Sequence, residues 1–420
     1  MRWFYNFVFF IFGILSLPKT LKRQRKIPEY RGMLSRRFKC KKVNWKDNYP
    51  KIWLNAVSVG ETIALGPLVK ELEKEYPGIQ LLISATTGTG YHRAKALYSE
   101  HQIIAYPFDF SFIVDKFLKT YQPDVFISCE LDLWPNFLYG CQKFKVPFVV
   151  VSGRISDSSI GGYLKVKPLI ETPLSAVSMF LAQDEIDAQR AEQIGLQKVK
   201  KVGNLKFDLL KTEVEELSDF HRNLKKEAEK FIVIASTHHP EEMMILEVLE
   251  SIHFFEKENW KCILVPRHPE RSEELSLQLS EKSIKSQFYV DLIESDEKFS
   301  EKVLIINQIG VLSKFYQLSD LCFIGGSLIP HGGQNMIEPA ALGCAVFFGP
   351  HVQNFREASK ILLDNQAAIQ VENIEDLKEK LPSYLDDLEL TIKLAKNAKQ
   401  AIMSRRGVAK KTLQEIKTLL

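Results

Sequence analysis

The sequence predicts an α/β protein with two doubly wound, Rossmann-like domains that face a central cleft. Short apolar runs alternate with amphipathic helical patterns along most of the chain, which is typical of mostly parallel sheets covered on both faces. A charged segment at 212–230 interrupts this rhythm, which then restarts. An almost wholly apolar run, from Trp3 to Leu17, opens the chain and predicts a membrane-anchoring segment.

These observations divide the 420-residue chain into four parts. We predict a membrane anchor with its basic flank at 1–26, an N-terminal domain at 27–211, a linker with a helix at 212–230, and a C-terminal domain at 231–420. The sequence leaves open whether the final helix of the C-terminal domain packs back on the N-terminal one. A chain of this length supports two or three domains with full hydrophobic cores.

The composition is that of an ordinary globular protein, with 45% hydrophobic and 26% charged residues. A net charge of +4, without concentrated basic stripes, predicts no nucleic-acid partner. The six cysteines are scattered and form no Cys-x-x-Cys pair, which predicts reduced, buried thiols. Neither a His-x-x-x-His pair nor a carboxylate cluster indicates a metal site, so we expect no metal.

The apolar N-terminal run ends at Pro18 and is followed by a basic cluster. At about 15 residues it is shorter than the ~20 that span a bilayer comfortably. The order of charges and the missing small-x-small cleavage site disfavour a signal peptide. We predict an uncleaved anchor, spanning the membrane or lying in its interface, and a core helix remains the alternative. The basic cluster should attract anionic lipid and keep the following domains cytoplasmic. Its members are Lys19, Lys22, Arg23, Arg25 and Lys26.

Ten apolar runs predict the strands of the two domains. The predicted strands are 52–57, 81–86, 103–106, 124–128 and 147–151 in the first domain, and 231–235, 262–265, 303–306, 321–324 and 345–348 in the second. An amphipathic helix is predicted from Thr62 to Glu75. Ligands of such domains bind at the carboxyl ends of the strands, so motifs at these ends are the candidates for function.

The most informative motif is the glycine-rich run 325–339, directly after the predicted strand 321–324. Glycines let the backbone approach an anion, and the first N–H groups of a following helix point at it. We therefore predict that Gly326, Ser327 and Gly333 contact a phosphate. Glu338, in the predicted helix, suits the hydroxyls of a ribose. Together with Asn335 it favours a nucleotide site over a plain capped turn.

Carboxylates follow two predicted strands of the first domain. Glu61, after Ser58-Val59-Gly60, lies at a helix N-terminus, where the helix dipole favours a negative charge. A capping glutamate with no further role is the alternative for Glu61. Glu130 and Asp132 follow the strand 124–128, beside Trp134, and packing alone does not explain two carboxylates there.

Two cations complete the set of candidates. Arg267 follows the strand 262–265 and offers a planar fork to phosphate or carboxylate, with a surface salt bridge as the alternative. Lys206, in the motif 203–208, either meets an anion or is solvated. The run 88–90 predicts a turn, because it lacks the third glycine of a dinucleotide fingerprint. His238 and His239 follow a predicted strand and line the cleft without indicating a specific role.

Taken in order, these motifs resemble the 3-deoxy-D-manno-octulosonic acid (Kdo) transferases of lipopolysaccharide synthesis over nearly the whole chain. The motifs are 58–61, 130–136, 203–208, 235–238, 266–271 and 325–339. The resemblance implies a GT-B fold, a CMP-Kdo donor, a lipid A precursor as acceptor, and neither metal nor other cofactor. It also implies an enzyme of the inner membrane whose catalytic domains lie on the cytoplasmic side.

The resemblance also assigns roles to individual residues. Glu61 matches the family's general base, and Glu130 and Lys206 match residues that stabilise the transition state. The matched CMP contacts are Pro266, Arg267, Gly310 and the run from Asn335 to Glu338. Departures from the family pattern are Val311, where only a backbone contact next to Gly310 survives, Asn55 and Gln334 in place of histidines, and Leu131-Asp132 in place of Thr-Glu. None of them removes a matched catalytic residue.

The chemistry of the implied reaction fits these residue types. Departure of CMP leaves positive charge on the sugar ring and negative charge on the phosphate, which Arg267, Lys206 and the loop at 332–333 can stabilise. Glu61 can take the proton of the acceptor hydroxyl on the opposite face, which gives inversion. Two other classes remain open: a sugar-nucleotide 2-epimerase, which shares the fold but needs no anchor, and a non-catalytic membrane adaptor. The intact Glu61 and Arg267 count against the adaptor.

Overall fold

The computed structural model describes residues 2–209, 216–295 and 298–420. The chain divides into two compact units, one formed by 1–209 with 407–420 and the other by 210–406. Each unit contains a seven-stranded sheet whose paired neighbours are all parallel. The predicted pair of parallel-sheet α/β domains is therefore confirmed. Of the predicted linker, residues 212–215 lie outside the described residues.

The sheet of the first unit has the strand order β3-β2-β1-β4-β5-β6-β7. Its strands are β1 (Ile52–Ala56), β2 (Leu82–Ala85), β3 (Gln102–Ala105), β4 (Val125–Cys129), β5 (Phe148–Gly153), β6 (Val177–Ala182) and β7 (Val199–Lys201). Strands β6 and β7 were not predicted. The apolar run of β6 follows a helix without a glycine or proline to separate them, and β7 is too short to show a period.

Nine helices precede residue 210 in the described part of the chain. They are α1 (Arg2–Lys26), α2 (Met33–Arg36), α3 (Val59–Ala64), α4 (Gly66–Glu75), α5 (Gly88–Leu97), α6 (Ser111–Tyr121), α7 (Pro135–Phe144), α8 (Asp157–Leu174) and α9 (Glu185–Ile194), with short 3-10 helices at Pro28–Tyr30 and Leu205–Leu209.

Both faces of the sheet are buried, as the apolar strands predict. Along β1, Ile52 and Leu54 belong to one core cluster, whereas Trp53 belongs to the cluster on the opposite face. Successive side chains of a strand point to opposite faces, so a strand covered on both sides must be apolar throughout. All six cysteines are free, and Cys40 is the one that is not fully buried.

Two local predictions in this unit were wrong. The single helix expected at 62–75 is two helices, α3 and α4, because Pro67 has no N–H to donate to the carbonyl four residues earlier. The expected turn at 88–90 is instead the first turn of α5, where the Thr87 hydroxyl accepts a hydrogen bond from the Gly90 N–H at 3.2 Å. A side chain at Gly88 would lie 2.5 Å from the Glu29 carbonyl oxygen, so this contact requires glycine.

Helix α1 contains the apolar N-terminal run and continues through Pro18 to Lys26. Pro18 removes only one hydrogen bond of this helix, whose acceptor belongs to an exposed residue, Ile14. The start of α1 is held on the first unit by Asn6, which bonds Ser111 at 2.8 Å and Asn136 at 2.7 Å. Within the described chain, no helix is both long enough and apolar enough to cross a bilayer.

The sheet of the second unit has the order β10-β11-β9-β8-β12-β13-β14. Its strands are β8 (Lys230–Thr237), β9 (Trp260–Pro266), β10 (Ser286–Phe288), β11 (Val303–Ile305), β12 (Leu321–Ile324), β13 (Ala345–Phe348) and β14 (Ala368–Gln370). Strands β10 and β14, of three residues each, were not predicted.

The helices of this unit cover both faces of its sheet. They are α10 (Asp219–Asn223), α11 (Glu241–Ser251), α12 (Ser272–Glu281), α13 (Tyr289–Ser295), α14 (Leu312–Leu318), α15 (Ile337–Leu342), α16 (Arg356–Asp364), α17 (Ile374–Asp386) and α18 (Leu388–Met403), with 3-10 helices at Phe254–Glu256, Pro269–Arg271 and Gln353–Phe355.

The last helix of the chain, α19 (Val408–Ile416), belongs to the first unit, and a 3-10 helix at Lys417–Leu419 follows it. Val408 and Leu413 are buried in the core cluster that also contains Leu205. The Asp208 carboxylate accepts hydrogen bonds from the N–H groups of Gly407 at 2.7 Å and Ala409 at 2.6 Å. Asp208 therefore caps α19 from a distant part of the chain.

We predict that Asp208→Ala lowers the free energy of unfolding by about 1 kcal/mol, because two N–H groups at the start of α19 lose their acceptor. Asp208→Asn is the matched control, since its one amide oxygen should retain part of the cap and give an intermediate loss. Urea unfolding of the three proteins measures the difference. An Asp208→Ala protein as stable as the wild type would show that the cap contributes nothing.

Candidate active site

In each sheet the strand order reverses at one point, and several candidate residues, among them Glu61, Glu130 and Glu338, come after the strands at that point. In the first unit the reversal lies between β1 and β4, and in the second between β8 and β12. At such a reversal, the connections that follow the two adjacent strands run in opposite directions. This opens a crevice at the carboxyl ends of the two strands. Each unit thus presents a candidate site of its own.

Glu61 lies in the first turn of α3, directly after β1, and only 9% of its surface is exposed. Its carboxylate accepts hydrogen bonds from the Val57 N–H at 2.8 Å and the Ser58 hydroxyl at 2.9 Å. Ser58 in turn is the N-cap of α3. This arrangement resembles a capping box. The capping contacts are therefore present, and they fix the orientation of the carboxylate.

The surroundings of Glu61 raise its pKa to about 7. Burial is the main cause, because it disfavours the charged form, and the negative charges of Glu130 and Asp132 act in the same direction. The hydrogen bonds from Val57 and Ser58 oppose the shift. A carboxyl group with this pKa is partly ionised at neutral pH and retains enough proton affinity to act as a base.

Glu130 and Lys206, which the sequence placed 76 positions apart, form an ion pair of 3.0 Å between Oε1 and Nζ. Both side chains are partly exposed, at 23% and 30%. Glu130 has a positive φ of 58°, which is uncommon for a residue other than glycine and is often found at functional sites. The three predicted catalytic residues of the first unit, Glu61, Glu130 and Lys206, thus all lie beyond the carboxyl ends of its strands.

Asp132 belongs to a buried hydrogen-bond network beside Glu61, which its position in the sequence did not indicate. It is buried, accepts a hydrogen bond from Asn55 Nδ2 at 2.9 Å, and has a pKa raised to about 6, chiefly by burial. Asn55 Oδ1 accepts a bond from Ser84 at 2.7 Å, and Trp53 donates to Ser84 at 2.8 Å. The sequence does contain a sign of this network, because Asn55 and Ser84 are polar residues within the otherwise apolar strands β1 and β2.

Asp109 fixes the loop that carries Glu130 and Asp132. Its carboxylate accepts hydrogen bonds from the backbone N–H groups of Asn136 and Phe137 at 3.0 and 2.8 Å, at the start of α7. Burial raises the pKa of Asp109 to about 7. Asp109 was not predicted as a site residue, because a single aspartate before a helix gives no sign that it reaches another helix.

In the second unit, Arg267 follows Pro266 at the end of β9. Its N–H donates to the Thr237 carbonyl at 2.9 Å, which ties it to the end of β8, and its side chain is exposed. Gly310 has a φ of 92°, and its Cα faces open space. Both residues leave room for a ligand, as their predicted role in donor binding requires.

The glycine-rich loop differs from the prediction. The N–H groups of Gly326, Ser327 and Leu328 donate to the buried Glu241 carboxylate at 2.5, 2.9 and 2.8 Å. The backbone anion site expected here is therefore filled by the protein's own carboxylate. The expected phosphate contacts of the Gly326 and Ser327 amides are corrected accordingly. Glu241 lies in the first turn of α11, where the sequence pattern does not distinguish it from a solvated acid.

Two more loop residues have structural roles. The Ser327 hydroxyl donates to the Ile324 carbonyl and accepts from the Gly349 N–H at 2.8 Å, and its side chain is fully buried. The Gly333 N–H donates to the Gly326 carbonyl at 2.8 Å, so the expected contact of this amide with a phosphate is also corrected. Asn335, by contrast, is exposed, and its side chain accepts from the Ile337 N–H at 3.0 Å.

Glu338 lies in the first turn of α15 and is half-buried. It is close enough to Tyr316 for its charge to contribute, after burial, to the raised pKa of that phenol. Among the residues the structure describes, no group of three or more His, Cys, Asp or Glu side chains is arranged to hold a metal ion.

Comparison with solved structures identifies the fold. A glycosyltransferase from Rickettsia africae superposes with a TM-score of 0.59 at 16% identity, covering 89% of this chain and 99% of that one. The UDP-GlcNAc 2-epimerase from Neisseria meningitidis, bound to UDP-GlcNAc, gives a TM-score of 0.59 at 14% identity, covering 88% of this chain and 100% of that one. Because a transferase and an epimerase match equally well, the fold alone does not select the activity.

Sequence comparison makes the selection. A family model described as 3-Deoxy-D-manno-octulosonic-acid transferase (kdotransferase) matches residues 32–209. The 3-deoxy-D-manno-octulosonic acid transferase of Haemophilus influenzae is 32% identical over 424 aligned residues, which cover 100% of this chain and 99% of that protein. The aligned region spans both units. The chain therefore belongs to the 3-deoxy-D-manno-octulosonic acid transferase family and is a glycosyltransferase.

Proposed function

We propose that this transferase moves Kdo from CMP-Kdo to a lipid A precursor, lipid IVA, with inversion and without a metal ion. The observation that carries the proposal is Glu61, a carboxyl group of pKa about 7 held in a fixed orientation at the strand reversal of the first unit. The relative from Haemophilus influenzae bears the name of this transferase, which supports the choice of sugar.

Glu61 is the general base in this proposal. The attacking hydroxyl of the acceptor loses its proton to the carboxylate as the new glycosidic bond forms. A pKa near neutrality suits this task, because a more acidic group would bind the proton too weakly. Attack on the face opposite the departing CMP inverts the configuration at the sugar carbon.

The remaining charges stabilise the transition state. The Glu130–Lys206 ion pair offers one charge of each sign to a reaction that separates charge between the sugar ring and the phosphate. Arg267 offers the phosphate a planar cation, and Glu338 offers hydrogen-bond acceptors to the ribose. CMP is already a good leaving group, so these cations suffice and the proposed reaction requires no metal.

We further propose that α1 attaches the enzyme to the cytoplasmic face of the inner membrane. Beyond the contacts of Asn6, α1 exposes large apolar side chains, among them Phe12 at 66% and Leu15 at 75%. The basic cluster at its end supplies charges that attract anionic headgroups. A helix that is held at its start by its own domain, exposes apolar side chains along its middle and carries cations at its end is suited to lying in the membrane interface.

The direct test is mass spectrometry of the lipid after incubation of the full-length protein with CMP-Kdo and vesicles that contain lipid IVA. We expect the lipid mass to rise by one or more Kdo units, and CMP to be released only when the lipid is present. Release of CMP at the same rate without lipid, or an unchanged lipid mass, would contradict the proposed acceptor.

We predict that Glu61→Gln lowers the single-turnover rate of transfer by about 10²–10⁴-fold, because an amide cannot accept the proton of the acceptor hydroxyl. The amide oxygen can still accept from the Val57 N–H, so the melting temperature and the affinity for CMP should remain close to those of the wild type. A variant that melts early yet transfers at the wild-type rate would show that Glu61 is only a cap.

Ser58→Ala is the matched control, because it removes a cap partner of Glu61 and leaves the carboxylate in place. The Ser58 hydrogen bond lowers the pKa of Glu61, so its loss should raise that pKa further above 4.5. The active form is deprotonated, so the wild-type rate should fall as pH falls through about 7. In Ser58→Ala the midpoint should lie at higher pH. An unmoved midpoint would assign the inflection to another group.

For the membrane, we predict that Leu15→Ser lowers the partition coefficient onto anionic vesicles, measured by flotation, by about 10- to 100-fold, since burial of a leucine side chain contributes about 1.5–3 kcal/mol. The contacts that hold α1 on its domain do not involve Leu15, so the fold should be unaffected. Leu277→Ser, at a position 68% exposed on α12, is the control and should float like the wild type. Equal flotation of all three proteins would exclude α1 as the anchor.

A further inference from the structure

Three histidines meet at the strand reversal of the second unit. His238 follows β8, His268 follows β9, and His331 lies in the loop after β12; we call them the imidazole cluster. The rings of His238 and His331 are stacked, with centroids 4.2 Å apart and planes at 13°. The ring centroids of His238 and His268 are 5.6 Å apart. His268 and His331 are exposed and His238 is half-buried, so a ligand can reach the cluster.

The surroundings of His238 disfavour protonation of its ring. Burial comes first, and His331, His268 and Arg267 add to it, so that the pKa of His238 lies below its usual value. The Glu242 charge opposes this shift. An anion bound among these rings would remove the repulsion, which is why stacked imidazoles next to an arginine suit an anionic ligand.

The carboxylates near the cluster pair mainly with groups other than its imidazole rings. Glu242 binds Arg271 at 2.8 Å, and Arg271 also contacts the His239 ring at 3.3 Å. Glu241 accepts from the His238 backbone N–H at 3.2 Å, in addition to its bonds in the glycine-rich loop. The contact of His268 with Glu270 is an exposed one, at 3.5 Å.

Glu241 also determines which groups remain for a ligand. Its carboxylate occupies the N–H groups of residues 326–328 that would otherwise bind a phosphate. Gln334, at the end of that loop, contacts the ring of His238 with 3.0 Å between Nε2 atoms. The loop therefore positions side chains around the imidazole cluster instead of presenting its own amides.

We propose that the imidazole cluster, together with Arg267, binds the anionic part of the nucleotide-sugar donor, and that His238 takes up a proton from solvent when the anion binds. This inference rests on the CMP-Kdo donor proposed above and names the groups that recognise its charge. The donor carries both a phosphate and a sugar carboxylate. Either could be bound by the same imidazoles, so the probes must separate them.

The test is calorimetric titration of the full-length protein with CMP, cytidine and free Kdo. We expect His238→Asn and His331→Asn each to weaken CMP binding by about 10- to 100-fold, the effect of losing a hydrogen bond to a charged group. Cytidine has no phosphate, so its affinity should be the same in all proteins. His253→Asn is the matched control: its exposed ring pairs with Glu256, and it should bind CMP like the wild type.

Proton uptake gives a second readout that loss of folding would not produce. Titrations near pH 7.5 in two buffers of different ionisation enthalpy should show net proton uptake by the wild type on binding CMP. The pKa of His238 is low in the free protein and rises when the anion binds, so affinity should increase as pH falls from 8 towards 6.5. In His238→Asn this uptake should be lost or strongly reduced.

The possible results separate this inference from the proposed function. Wild-type affinity for CMP and Kdo in both histidine variants, with unchanged proton uptake, would overturn the imidazole site and leave the donor proposal standing. A wild-type protein that binds neither CMP nor cytidine would overturn the donor proposal itself. Weakened Kdo binding with unchanged CMP binding would support the cluster as an anion site and assign it to the sugar carboxylate.

Discussion

Burial of both faces of a parallel sheet is the constraint on which the rest of this structure depends. Strands such as β1 contribute apolar side chains to two cores at once, which leaves almost no place in the sheet for polar chemistry. The carboxyl ends at the strand reversal are the exception, because the crossovers diverge there. Glu61 and Glu130 follow such strands in the first unit, and His238 follows one in the second.

In the first unit, the carboxyl groups gathered at one edge of the sheet lie in different surroundings. Burial raises the pKa values of Glu61 and Asp132, whereas Glu130 is partly exposed and paired with Lys206. The charges of Glu130 and Asp132 keep the proton affinity of Glu61 high. The near-neutral pKa of Glu61 thus reflects burial as the largest cause, reinforced by the like charges and opposed by the capping hydrogen bonds.

In the second unit, the glycine-rich loop is held in one conformation by the protein itself. Glu241 does so by accepting hydrogen bonds from three consecutive N–H groups of the loop and from the end of β8. A built-in carboxylate preorganises the loop, and it also repels a second anion from those amides. In the donor site we propose, side chains around the loop, such as His238, bind the charged donor, and these side chains can change protonation whereas backbone amides cannot.

The sequence by itself determined the two α/β domains, most central strands and the family, because apolar period and ordered motifs are local properties of the chain. The three-residue strands β7, β10 and β14 were not predicted, since so short a segment shows no period. Individual candidate residues could be predicted from the sequence, but not the pairings between them. That Lys206 binds Glu130, Asp208 caps α19 and Glu241 fills the glycine-rich loop depends on residues 76, 199 and 85 positions apart along the chain. Only the tertiary structure decided these contacts, because hydrogen bonding and burial depend on distance in space.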